Sequence, residues 1–253
     1  MKKIFLLVFL STVGFAQNAD RKYLSHQLNE NILEIKTSDG TYFIQSYTDK
    51  IIETTFVPNG QKFNSNSHAV VLKPNQNSSQ FKESADFLEI ATSSLEIHIT
   101  KAPFKISYYK KGKLLISEKS GYLKRKHEPL ERVKGNIVYD STEVIQFNIN
   151  STEKLYGGGA RVLGMNRRGN RLALYNRADY GYERRSELMN FTLPIVISSQ
   201  KYMVHFDNAP IGYLDLDSKK ENVLEYETIS GRKTYQVIVG DSWEDLVSNY
   251  TSL

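Results

Sequence analysis

The chain has 253 residues, 33 Lys and Arg against 28 Asp and Glu, a formal net charge of +5, and no cysteine. Acids and bases alternate along most of it, which excludes the one-sided basic element of a nucleic-acid binder. Without disulfides it must rest on a packed core, and its length suffices for that as one β domain or two small ones.

Residues 1–16 read as a leader. Met1-Lys2-Lys3 is positive, Ile4 to Leu10 is apolar, and Gly14-Phe15-Ala16 is a small-x-small cleavage pattern before Gln17. The apolar run is too short for a membrane-spanning helix. The expectation is a signal peptide over 1–16, a periplasmic or secreted protein, and no membrane association after cleavage.

From Asn31 the period is two. Ile32–Lys36, Tyr42–Tyr47 and Ile51–Val57 alternate β-branched or aromatic residues with polar ones, and Asp39-Gly40 and Asp49-Lys50 form tight turns between them. Phe87–Thr92 and Leu95–Thr100 predict a hairpin across Ser93-Ser94, and Phe104–Tyr109 with Leu114–Ile116 another across Lys111-Gly112. A short strand is expected at His68–Leu72, a long connection at Lys119–Asp140, and Lys124-Arg125-Lys126-His127 is expected to be a solvated turn. Further strands are expected at Val144–Ile149, Phe191–Ser198, Tyr202–Phe206, Gly212–Leu214, Val223–Glu227 and Thr234–Val239. Pro194 suggests an edge position or a bulge. The spacing points to an all-β, antiparallel two-sheet sandwich over 17–240.

Asp241 with Glu244 predicts a capped helix start, placing Trp243, Leu246, Val247 and Tyr250 on one face of a short C-terminal helix over 241–253. An apolar stripe there needs cover. The expectation is that it comes from further polypeptide after Leu253.

The chemistry concentrates between Leu155 and Phe191. Gly157, Gly158 and Gly159 permit positive φ and close backbone approach, and Arg161, Arg167, Arg168 and Arg171 offer planar donor forks. A Tyr- and Arg-rich loop follows and is expected to reach into a carbohydrate site. The five histidines (His26, His68, His98, His127, His205) stand apart, so no metal or other cofactor is expected. Glycoside cleavage takes two carboxyl groups about 5–9 Å apart. Of Asp179, Glu183, Glu187 and Asp207, none makes a pair: Glu183 and Glu187 lie beside Arg184 and Arg185, and Asp207 in Asp207-Asn208-Ala209-Pro210 reads as a turn former. No catalytic residue is expected in this chain.

Four stretches carry a family resemblance. Leu155-Tyr156-Gly157-Gly158-Gly159-Ala160-Arg161 resembles a Tyr-Gly-x-Gly-Glu-Arg element, with Ala160 at the glutamate. Asn166-Arg167-Arg168-Gly169 precedes a strand ending in Tyr175-Asn176, Leu193–Ser199 with Tyr202 forms the third stretch together with Phe206-Asp207-Asn208, and Gly240–Thr251 is similar to a helix leading into a barrel. Together they resemble the N-terminal domain of glycoside hydrolase family 31, the α-glucosidase and α-xylosidase family. The resemblance implies a galactose-mutarotase-like supersandwich followed by a (β/α)₈ barrel bearing both catalytic aspartates. It also implies a retaining α-glycosidase or α-transglucosylase as parent, an α-linked oligosaccharide as substrate, and an inactive fragment here. Asp179 is the nearest match to the family's sugar-contacting residue, with Arg177, Tyr180 and Tyr182 beside it as alternative contacts. Two other readings are a self-sufficient carbohydrate-binding module and an aldose mutarotase, the latter needing a histidine and a glutamate at one site.

Overall fold

A computed structural model describes residues 21–74, 79–126, 141–176, 178, 181 and 191–253. In chain order the first strands are β1 (Tyr23–Asn29), β2 (Ile32–Thr37), β3 (Gly40–Thr48), β4 (Ile51–Pro58), β5 (Gln80–Glu83), β6 (Phe87–Ala91) and β7 (Glu96–Thr100). Then come β8 (Lys105–Lys110), β9 (Lys113–Lys126), β10 (Ser141–Asn148), β11 (Leu155–Gly157) and β12 (Asn170–Leu174). The last are β13 (Ile195–Ser198), β14 (Tyr202–Phe206), β15 (Gly212–Leu216), β16 (Val223–Thr228) and β17 (Thr234–Val239), followed by α1 (Trp243–Thr251).

These form two antiparallel sheets. The first has eight strands in the order β1-β2-β3-β4-β17-β14-β13-β11; the second has nine, β12-β15-β16-β10-β9-β8-β7-β6-β5. Alternate residues of both face one core, including Leu33, Ile35, Ile44, Ile97, Ile99, Phe147, Phe206, Leu224 and Val237, as the period-two pattern requires.

The core is not wholly apolar. Glu118 of β9 is buried between the sheets and accepts from Tyr235 Oη at 2.7 Å and Tyr42 Oη at 3.3 Å. Tyr235 also bonds Tyr108 (2.8 Å), which bonds Thr54 (2.6 Å). Arg21 ties the sheets at one end, donating to Tyr42 Oη (2.6 Å), Asp39 Oδ2 (2.7 Å) and the carbonyl of Tyr122 (2.5 Å). Room for its guanidinium comes from a bulge in β9, where Gly121 takes φ +65° and a Cβ would strike both Arg21 and Tyr42.

A second apolar layer lies on the outer face of the eight-stranded sheet. Register aligns Ile51, Ile238, Met203 and Ile197 across β4, β17, β14 and β13. Leu246 and Leu253 cover this row together with Val70 and Leu72, whose segment is pinned where Val71 and Leu72 donate backbone N–H to the carbonyl of Leu253, each at 2.8 Å.

Several expectations are corrected. His68–Leu72 is not a strand: its backbone pairs with Leu253 rather than with a sheet neighbour. Lys119–Lys126 continues β9, and Arg125 is no solvated turn residue but forks onto Glu225 at 2.9 and 2.7 Å. Residues 127–140 lie outside the described residues. The strand expected from Phe191 begins only at Ile195, with Pro194 preceding it and neither edge nor bulge; β13 is flanked by β11 and β14. Strands β1, β5 and β11 were not anticipated from the pattern. Ser242, not Asp241, caps α1, accepting from Asp245 N at 3.1 Å. The helix stripe is split: Leu246 is buried, whereas Trp243 and Val247 are exposed by 43% and 50%. The leader over 1–16 lies outside the described residues.

Burial pushes the Glu118 carboxyl up to about 7, against the lowering by Tyr235, Arg21 and Tyr42. A carboxyl that holds its proton more tightly folded than unfolded favours folding fully below the ordinary value, and that contribution is lost as pH rises through about 7. The size is on the order of 3 kcal/mol. The buried His205, held below the ordinary imidazole value mainly by burial, titrates with the opposite sign, its stabilisation lost as pH falls. We expect thermal stability to drop more steeply between about pH 5 and pH 8 in the native chain than in Glu118→Gln, which keeps the acceptor but cannot ionise. Parallel melting profiles for the two proteins would refute this.

Candidate functional site

The three glycines adopt the backbone they were expected to allow, with φ of +104°, +79° and +88°. At Gly157 a Cβ would run into the carbonyl of Ile195, and at Gly159 it would lie 2.5 Å from Thr192 Cα. The reason is a close passage: Gly158 N donates to the carbonyl of Ile195 (2.9 Å) and Ala160 N to that of Phe191 (2.8 Å). Opposite them, Asn176 Oδ1 accepts from both Thr192 N and Thr192 Oγ1 at 2.8 Å. Asn176 therefore clasps the outgoing stem of the central loop to its returning stem.

The arginines are engaged by the fold, three of them at least partly buried and Arg171 on the surface. Arg161 donates to the carbonyl of Ala173, and Arg167 to those of Gly157 and, at 2.7 Å, Gly159. Arg168 reaches Asp217 Oδ2 (2.9 Å), the carbonyls of Asn150 (2.8 Å), Ser151 (3.0 Å) and Glu153 (2.7 Å), and Asn222 Oδ1 (2.8 Å). Arg171 pairs with Glu227 at 2.7 Å and lies 3.6 Å over the Tyr213 ring. Their forks satisfy backbone carbonyls and carboxylates of the fold, so these four are scaffold rather than ligand-facing donors.

The clasp sits on the rim of a cleft of about 980 Å³ on the outer side of the eight-stranded sheet. Its walls include the end of β4, the 61–69 segment with Asn64, Asn66 and His68, the Tyr175-Asn176 and Thr192–Pro194 stems, the end of β14 with His205, Asp207 and Asn208, the Gly231–Thr234 stretch leading into β17, and Tyr250 of α1. Asp207 is more than the turn former expected. It is only 4% exposed, pairs with Arg232, and accepts from Ser67 Oγ at 2.9 Å. Arg232 Nε in turn donates to the carbonyl of Asn64 at 3.2 Å, so this ion pair fastens the 61–69 wall to the sheet. Asn208 takes the turn role: its Oδ1 accepts from Arg232 N (3.0 Å) and its amide donates to the carbonyl of Ser230 (2.9 Å).

The sequence-predicted contacts Arg177, Asp179, Tyr180 and Tyr182, with Glu183 and Glu187, lie outside the described residues. The structure shows where their loop departs and returns, at the rim of this cleft. Sequence reasoning passed over His205, Arg232 and the Asn64–His68 wall, because they converge only through the register of β4, β17 and β14. Among the described residues, no group of three or more His, Asp or Glu gathers as a metal site would.

Residues 41–215 match the glycosyl hydrolase 31 N-terminal galactose mutarotase-like domain. The chain belongs to that family. α-Glucosidase 2 of Bacillus thermoamyloliquefaciens is 21% identical to this family 31 domain over 230 residues, 88% of the chain and 27% of the longer protein. A dextranase of Flavobacterium johnsoniae complexed with isomaltotriose superposes with a TM-score of 0.79 at 21% identity, over 94% of this chain and 28% of its own. The cycloalternan-forming enzyme from Listeria monocytogenes, in complex with a pentasaccharide substrate, gives 0.73 at 18% identity over 91% and 22%. The chain thus spans roughly a quarter of the length of these relatives. The likeness to the solved structures establishes the fold, a galactose-mutarotase-like sandwich.

Two substitutions separate scaffold from ligand contact. Arg168→Ala strands Asp217 and three carbonyls, so denaturant unfolding should show a loss of about 3 kcal/mol. Gly159→Ala, at φ +88° with the Thr192 backbone in the way, should cost about 1–3 kcal/mol. Unchanged unfolding midpoints would show that these residues do not carry the load assigned to them.

Proposed function

We propose that this domain shapes the sugar-accepting cleft of an exported α-glucan-acting enzyme, a retaining glycosidase or transglucosylase, whose reactive carboxylates belong to a catalytic barrel. The observation that carries this reading is the clasp at Asn176, which joins the two stems of the Tyr- and Arg-bearing stretch at the rim of a cleft walled by amide side chains. Arg177, Asp179, Tyr180 and Tyr182 would then add an aromatic face for a pyranose ring and forks for its hydroxyls. The names of the relatives support α-linked glucose polymers as the substrate class.

The cleft itself is built to bind. Among the described residues that line it Asp207 is the single carboxylate, already engaged by Arg232 and Ser67, whereas glycoside cleavage takes two carboxyl groups about 5–9 Å apart. A loop from one domain closing over a site on another orients the substrate and so contributes to rate as well as to affinity.

Isomaltotriose and maltotriose titrated into the isotope-labelled chain should shift the amides of Asn64, Asn66, Tyr175, Asn176 and Asn208. The same chain should release no nitrophenol from a nitrophenyl α-glucoside. An unmoved cleft would refute the sugar reading. Turnover by this chain alone would overturn the assignment of the reactive acids to another domain, and rapid anomeric interconversion of glucose would mark a mutarotase instead.

A further inference from the structure

Next to the apolar row on the outer face of the eight-stranded sheet runs a polar one. Register sets Gln45 opposite Glu53, Glu53 opposite Gln236, and Gln236 opposite His205. Glu53 is 4% exposed and receives three donors: Gln45 Nε2 at 2.9 Å, Tyr47 Oη at 3.2 Å and Gln236 Nε2 at 2.7 Å. With its nitrogen committed to Glu53, the Gln236 amide must turn its oxygen the other way, to His205 Nδ1 at 2.8 Å. An amide oxygen only accepts, so Nδ1 carries the proton. In the neutral ring this leaves Nε2 bare.

His205 is 5% exposed and lines the cleft, with the Tyr250 ring edge-on to it at 5.7 Å. The charged groups near it are Glu53 along the row and the Asp207–Arg232 pair, Asp207 lying two residues on, just past the end of β14. Burial holds its pKa below the ordinary imidazole value despite Asp207, so the ring is neutral at pH 7.

We propose that His205 is a ligand-binding residue of the cleft: Nε2 accepts a hydrogen bond from a sugar hydroxyl, while Gln236 and Glu53 act behind it as positioning residues that fix the tautomer. This rests on the reading of the cleft as a sugar site and narrows its ligand. A lone pair at the wall welcomes an O–H donor and repels the oxygens of a carboxylate or phosphate. The group that meets His205 is therefore a hydroxyl of a glucosyl unit, and not a carboxylate or phosphate oxygen.

Long-range ¹⁵N–¹H spectra of the labelled chain test this, with Glu53→Gln as the second protein. The native spectrum should show His205 as the Nδ1–H tautomer, and its Nε2 resonance should move on saturation with isomaltotriose. In Glu53→Gln the acceptor that orients Gln236 is weakened, so the tautomers should mix and isomaltotriose affinity should fall about tenfold. A native ring found as Nε2–H overturns the inference. So does an Nε2 resonance that stays still while the amides of Asn64, Asn176 and Asn208 shift, and in that case the sugar reading of the cleft survives. If none of those amides moves, the sugar reading itself fails and this inference with it.

Discussion

Strand β17 is buried on both faces, and the rest of the architecture answers to that. All six residues from Thr234 to Val239 are buried. Tyr235, Val237 and Val239 enter the core between the sheets, while Ile238 and Gln236 point the other way. A central strand with two covered faces demands a third layer outside the sandwich. Helix α1 and the segment ending at Leu72 supply it over Ile238, and where that cover thins, beside His205, the cleft begins. The site is thus the unfilled part of a layer that the sheet's own side chains require.

The same logic separates the roles of the central stretch. Its glycines and arginines looked like ligand chemistry, and both proved to be construction. Positive φ at Gly157–Gly159 brings one chain segment against the backbone of Phe191–Ile195, and the guanidinium forks satisfy carbonyls that this irregular backbone leaves unpaired in strand ladders. Asn176 then needs only two short hydrogen bonds to hold the loop stems together at the rim. Backbone held in this way fixes where the two stems stand on the scaffold.

Two buried polar networks mark the two sides of the eight-stranded sheet. The inner one, around Glu118, Tyr42, Tyr108 and Tyr235, lies within the core and joins the sheets. The outer one, from Glu53 through Gln236 to His205, ends at the cleft. Both are made of donors and acceptors that saturate one another, as burial requires. They differ in that the outer chain ends on a ring that lines open space.

Local pattern determined most of the strands, the antiparallel hairpins, the sandwich class and the terminal helix, because alternation and turn residues act over a few neighbours in sequence. It also located the stretch from Leu155 to Phe191 as the unusual one, since glycine and arginine density is a property of composition. It misjudged Lys119–Lys126, where charged residues sit in a strand because Glu225 and Glu227 on β16 neutralise Arg125. It likewise misjudged His68–Leu72, whose apolar alternation serves the outer layer and not a sheet. Tertiary structure alone decided that Asp207 and Arg232 pair, that Asn64 meets them, and that His205 stands in line with Gln236 and Glu53. Those residues lie far apart in sequence, and only the register of antiparallel strands brings them side by side.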